Sequence, residues 1–94
     1  MSERTAASLA KFDEFYPVMK SLGTGPAHER LADDADALRR AIASFHMEAI
    51  RFRMHNVDRA LKETGENEAA RAAFEQLRQA LEAAGFHTRS QAAP

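Results

Sequence analysis

Residues 27–64 read AHERLADDADALRRAIASFHMEAIRFRMHNVDRALKET and contain neither glycine nor proline. Gly25 and Pro26 directly precede this run, and Gly65 directly follows it. As a single helix the run is roughly 57 Å long, at about 1.5 Å per residue. A compact domain of this length has a radius of gyration of only about 12 Å. The run therefore either breaks or forms a long helix that projects and packs against a partner.

The composition predicts a single all-helical domain over residues 1–94. Hydrophobic types make up 45% of the chain, but 20 of the 94 residues are alanine and only 22 are larger apolar types. Chains this short seldom bury enough apolar surface to be very stable alone, and association is one usual remedy. We therefore expect a homo-oligomer, with a dimer favoured, and a further protein partner.

Several classes of function are disfavoured. The chain has no cysteine, which excludes disulfides, thiolate chemistry and cysteine-based zinc sites. Its formal charge of −1 argues against nucleic acid as a partner, because such binding depends on clustered Lys and Arg. The N-terminus lacks a signal peptide's apolar segment, and no stretch reaches the roughly 18 apolar residues of a membrane span. We expect a cytoplasmic protein without membrane contact.

The first helix is predicted over about 5–22, where apolar residues recur at helical spacing. Pro17 lies inside this stretch and removes a backbone donor, so we expect a kink or a break there. The turn that follows ends at Pro26, which suits the first position of the next helix. The apolar residues are Leu9, Phe12, Phe15, Tyr16, Met19 and Leu22.

The last helix is predicted over about 68–84. Asn67 is a good N-cap for it, and Gly85 fits a left-handed C-terminal cap from which Phe86 folds back onto Leu81. The short connection before it makes this helix an antiparallel neighbour of the preceding one. Residues 87–94 are predicted to be a disordered tail.

The central helix is predicted over 26–64, with two apolar stripes in steps of three and four residues. The stripes lie roughly 160° apart at about 100° per residue. We expect the two flanking helices to cover one stripe each, and two antiparallel copies of the chain to close a bundle. A monomer instead requires a break, expected at His55-Asn56. The stripes are Leu31, Ala35, Leu38, Ile42, Phe45, Ala49 and Phe52, then Met47, Ile50, Met54, Val57 and Leu61.

The two stripes overlap in the middle of the central helix, which predicts a wide buried arc and an association surface. Truncating Phe45 to alanine is expected to cost about 3–5 kcal/mol if the ring is fully buried. The association surface comprises Phe45, Met47, Ala49, Phe52 and Met54.

His46 and Arg53 are seven residues apart, on one face of a continuous helix and between the stripes. Three interpretations are open, because buried polar groups need partners. Both side chains can be half-exposed, with the Arg53 stem covering the core. They can pair with acids of another helix or chain and fix the register. They can also form an anion or small-ligand site in the bundle.

His55 and Asp58 form a second candidate, three residues apart on the polar face. They supply at most two metal ligands, whereas catalytic zinc normally needs three and structural zinc four. No metal site is therefore expected. His55 is also better placed than His46 to accept a phosphoryl group, since that reaction needs an imidazole exposed to solvent.

These features favour a non-enzymatic interaction module, an adaptor or regulator that self-associates through its central helix. No nucleophile-base pair, glycine-rich phosphate loop or paired carboxylate set is visible. We expect no cofactor. The alternative is a ligand-binding or histidine-phosphotransfer dimer that uses His46 and Arg53, or His55.

Overall fold

The computed structural model describes residues 3–86, with side chains from residue 5 onwards, and these residues form four α-helices and no strand. The helices are α1 (Glu3–Lys20), α2 (Pro26–Ala43), α3 (Met47–Glu63) and α4 (Glu68–Ala83). The all-helical class is confirmed, but the expectation of three helices is wrong. The run 27–64 breaks at residues 44–46, not at His55-Asn56. The tail predicted over 87–94 lies outside the described residues.

The break allows both apolar stripes to face one interior. On a continuous helix the stripes point in nearly opposite directions, whereas two separate helices can each turn a stripe inward. The radius of gyration is 12.4 Å, close to the value of about 12 Å for a compact chain of this length. The buried stripe residues are Leu31, Ala35, Leu38 and Ile42 from α2, and Ile50, Met54, Val57 and Leu61 from α3.

The helices pack in pairs. α2 packs antiparallel on α3, and Arg30 near the start of α2 contacts Glu63 at the end of α3, with 3.4 Å between Nη1 and Oε1. α1 packs mainly on α4, where the rings of Phe15 and Phe74 lie 5.6 Å apart, and to a smaller extent on α2. The last helix thus packs chiefly on α1 rather than on the helix before it, which corrects the expected pairing.

The local signals at three helix boundaries have different outcomes. α1 continues through Pro17 and ends at Lys20, so of the expected kink or break the break is absent. Pro17 is exposed, where water can satisfy the carbonyl group that its missing N–H leaves without a partner. Pro26 begins α2 as predicted, and the Asn67 side chain caps α4 by accepting a hydrogen bond from the N–H of Ala70 at 3.0 Å.

Candidate functional site

The chain reverses between α2 and α3 without a glycine. Phe45 has φ 59°, in the left-handed region that costs a residue with a Cβ about 1–2 kcal/mol. The N–H of Phe45 donates to the Ile42 carbonyl at 3.0 Å, and the N–H of His46 donates to the Ala41 carbonyl at 3.3 Å. This pair of bonds is the Schellman motif, which usually has glycine at the left-handed position. Phe45 therefore ends α2 in a conformation that is unfavourable for its residue type.

His46 begins the next helix. Its backbone is extended, with φ −110°, and its Nδ1 accepts a hydrogen bond from the N–H of Ala49 at 3.1 Å. An Nδ1 that accepts carries no proton. The imidazole therefore satisfies one of the amide donors that the start of a helix leaves free, the part usually played by Ser, Thr, Asp or Asn.

Two large apolar side chains are exposed within the described part of the chain, Phe45 at 41% and Phe52 at 58%. We call this pair the aromatic ridge. The Phe45 ring packs edge-on against Phe86, with 5.2 Å between centroids and 77° between planes. The Arg53 guanidinium carbon lies 5.3 Å from the Phe52 centroid, within the range of a cation–π contact. The ridge thus combines apolar rings with a cation at the surface.

The fold places the residues of the expected association surface in different environments. Phe45 and Phe52 are exposed, and Met47 and Ala49 are half-buried against the core. Met54 is completely buried, so it belongs to the core of the single chain. The condition for the expected loss of about 3–5 kcal/mol on Phe45 truncation is not met, because that figure applies to a fully buried ring and Phe45 is 41% exposed.

The break at residues 44–46 places His46 at the N-cap of α3 and Arg53 within that helix. His46 caps the helix, while Arg53 lies half-buried beside Phe52. Each side chain has its own structural contact. Arg53 is half-buried, as the first of the three interpretations expects, whereas His46 is exposed, and the choice among the three stays a prediction.

His55 and Asp58 have different surroundings. His55 is exposed, whereas Asp58 is 24% exposed and binds Arg71 of α4, with 2.5 Å between Oδ1 and Nη1. Burial opposes ionisation of Asp58, but the hydrogen bond and charge of Arg71, together with Lys62, outweigh it and hold the pKa of Asp58 below its ordinary value. Lys62 lies four residues after Asp58 on the same helix, whereas the contact with Arg71 joins two helices.

A cleft of about 390 Å³ lies between the end of α1 and the start of α2. Burial, then the charge of Asp36 and its hydrogen bond to the phenol, then the charge of Asp33, raise the pKa of Tyr16. Carboxylates outnumber cationic side chains here, so the cleft favours cations over anions. The charged and aromatic residues that line it are Tyr16, Lys20, His28, Glu29, Asp33 and Asp36.

Among the residues that the structure describes, no group of three or more His, Cys, Asp or Glu side chains is placed to bind a metal ion. Within the same residues, every helix is too short or too polar to cross a membrane. The chain matches no known protein family, no curated protein and no solved structure. The arguments for function therefore come from the surface of the bundle.

Proposed function

We propose that this chain is a small helical protein-interaction module, an adaptor or regulator rather than an enzyme, that self-associates through the aromatic ridge. The conformation of Phe45 is the observation that carries the proposal. Glycine is less strained at this left-handed position, yet the chain has a large aromatic residue there whose ring is 41% exposed. Strained residues are concentrated at functional sites, and a docking surface accounts for both the ring and its exposure.

Phe52 is the second exposed ring and lies on α3. Its ring is 58% exposed, and the guanidinium of Arg53 lies against it. Aromatic residues and arginine are enriched at protein interfaces and at their energetic hot spots. The combination is therefore suited to a contact with another chain.

The four helices of one chain already bury most of both apolar stripes and leave Phe45 and Phe52 exposed. Association is thus not needed to complete the core, in contrast to the expectation from a continuous central helix. The ridge offers a small contact area, and small interfaces are typical of weak, transient complexes. We expect a reversible dimer rather than an obligate one.

The test is the mass in solution, measured by light scattering over a concentration series up to about 1 mM, where detectable association corresponds to about 4 kcal/mol. The unmodified chain should shift from monomer towards dimer. Phe52→Ser should weaken association by about tenfold or more, because it removes the most exposed ring. Gln76→Ser is the matched control, since Gln76 is exposed on α4.

Both substitutions lie on the surface, so the free energy of unfolding should stay within about 0.5 kcal/mol of the original. A chemical denaturation curve for each variant checks this. The proposal fails if the unmodified chain remains monomeric throughout the series. It also fails if Phe52→Ser and Gln76→Ser associate equally well.

A further inference from the structure

Four exposed side chains form a row along the outer face of α3, and Phe52 is one of them. Their spacing of four, three and four residues is that of a helix that packs lengthwise against another helix. The buried residues of α3, including Ile50 and Leu61, lie on the opposite side. We call these four residues the outer row: Glu48, Phe52, His55 and Arg59.

The ends of the outer row carry opposite charges. Within residues 5–86, neither Glu48 nor Arg59 forms an ion pair. They lie about 16 Å apart along the helix axis, at about 1.5 Å per residue. Between them are two ring-bearing side chains, Phe52 and His55. Read in the opposite direction, the order acid, ring, ring, base becomes base, ring, ring, acid. A reversed copy of the row therefore places a base opposite each acid and a ring opposite each ring.

We infer that the occupant of this surface is a second copy of the chain, docked with its α3 antiparallel to the first. The inference rests on the proposed self-association. In this arrangement Glu48 lies opposite Arg59 of the second copy, and Phe52 lies opposite His55 of the second copy. Two-fold symmetry repeats both contacts, as in an isologous interface.

A parallel arrangement has the opposite electrostatic result. It places Glu48 opposite Glu48 and Arg59 opposite Arg59, and like charges across an interface are repulsive. The antiparallel register instead turns every charged position of the outer row into an attractive pair. Charge complementarity therefore selects both the occupant and its direction.

Charge reversal tests the register. Glu48→Arg alone and Arg59→Glu alone should each weaken the dimer by about tenfold, because each change converts both symmetric attractive pairs into repulsive ones. The double variant should return to within about threefold of the original, because its charges are exchanged and again complementary. Light scattering over the same concentration series measures all three variants.

A matched control separates register from helix stability. Glu48 is in the first turn of α3, where an acid interacts favourably with the helix dipole, so its replacement also weakens the helix. Glu68 occupies the first turn of α4 and is exposed. Glu68→Arg therefore has a comparable effect on its helix, and dimerisation should be unchanged.

The outcomes distinguish the inference from the proposal on which it depends. If Phe52→Ser abolishes the dimer but neither charge reversal weakens it, self-association stands and the antiparallel register is overturned. If each single reversal weakens the dimer and the double variant does not recover, the pairing of Glu48 with Arg59 is also overturned. A chain that is monomeric at every concentration overturns self-association itself and leaves the ridge to a different protein.

Discussion

The turns that end α2 and α4 have the same backbone pattern but different residues at the left-handed position. After α4, Gly85 has φ 98° and its N–H and that of Phe86 donate to the last turn of the helix at 3.0 and 2.9 Å. After α2, Phe45 and His46 make the equivalent two bonds. The backbone requirement is therefore the same in both turns. The difference lies in the side chain, because Phe45 presents a ring that touches Phe86 and remains partly exposed.

The largest expected effect is the difference in stability between truncating Phe86 and truncating Phe45, whose rings are in contact. Phe86 is 2% exposed, so Phe86→Ala should lower the free energy of unfolding by about 3–5 kcal/mol. Phe45→Ala should cost only about 1 kcal/mol, mostly the lost contact between the rings. Urea denaturation with a common m-value measures both. Equal losses would contradict the assignment of Phe45 to the surface.

The next prediction concerns the glycine of the α4 turn. Gly85→Ala forces a residue with a Cβ into φ 98°, which should cost about 1–2 kcal/mol. Gln76→Ala, at an exposed position inside α4, serves as the control and should be close to neutral. If Gly85→Ala unfolds at the same urea concentration as the control, the left-handed conformation does not limit that turn.

At Phe45 a smaller effect is expected, in which replacement by glycine is more favourable than replacement by alanine. Phe45→Gly should be more stable than Phe45→Ala by about 1 kcal/mol, because glycine adopts the left-handed conformation without steric cost. Inside α4 the order should reverse, and Gln76→Gly should be about 1 kcal/mol less stable than Gln76→Ala. Thermal or urea unfolding of the four variants gives both differences. The same order at both positions would mean that Phe45 is not held in the left-handed region.

The sequence predicts α4 well because its boundary signals are local. Asn67 caps the start as expected. At the other end the chain folds back, and the N–H of Phe86 donates to the Leu81 carbonyl as the left-handed cap requires. Both are residue types that strongly favour these positions. The helix bounds therefore differ from the expectation by only one residue, ending at Ala83.

The break between α2 and α3 lies at residues 44–46 rather than at the predicted His55-Asn56, because the residues at 44–46 are uncommon in these roles. Phenylalanine is unusual at a left-handed helix end, and histidine is not among the preferred N-caps. A signal was nevertheless present, since two stripes about 160° apart cannot face one core from a single straight helix. In a chain that buries its own core, this rotation itself predicts a break.

The candidate site was predicted in part. Phe45 and Phe52 were identified, but as members of a buried seam, because the stripes were continued through residues 44–46. Met54 was assigned to an interface and belongs to the core. The helical spacing alone places Glu48 and Arg59 on the same face as Phe52, but only the fold shows that this face of α3 is exposed.

The connection between α3 and α4 carries ion pairs that include a residue of the loop itself. Arg71 near the start of α4 binds Asp58 of α3 and Glu66 of the loop, with 2.5 and 3.1 Å between nitrogen and oxygen. Gly65 and Glu66 both have positive φ there, 100° and 45°. This turn therefore has a glycine with positive φ, as the end of α4 does, and also has carboxylates whose charge depends on pH.

The smallest predicted effect is the acid sensitivity of this connection. Arg71 holds the pKa of Asp58 below its ordinary value against the opposing effect of burial, so the folded chain binds this proton less readily than the unfolded chain. The stabilisation is therefore present above about pH 4 and is lost as the pH falls towards the folded-state pKa. Asp58→Asn should remove about 1 kcal/mol or less at pH 7 and flatten the decline between about pH 4 and pH 2. Glu68→Gln, at an exposed carboxyl, should leave that decline intact; an unchanged slope in Asp58→Asn would show that Asp58 titrates alike in the folded and unfolded chains.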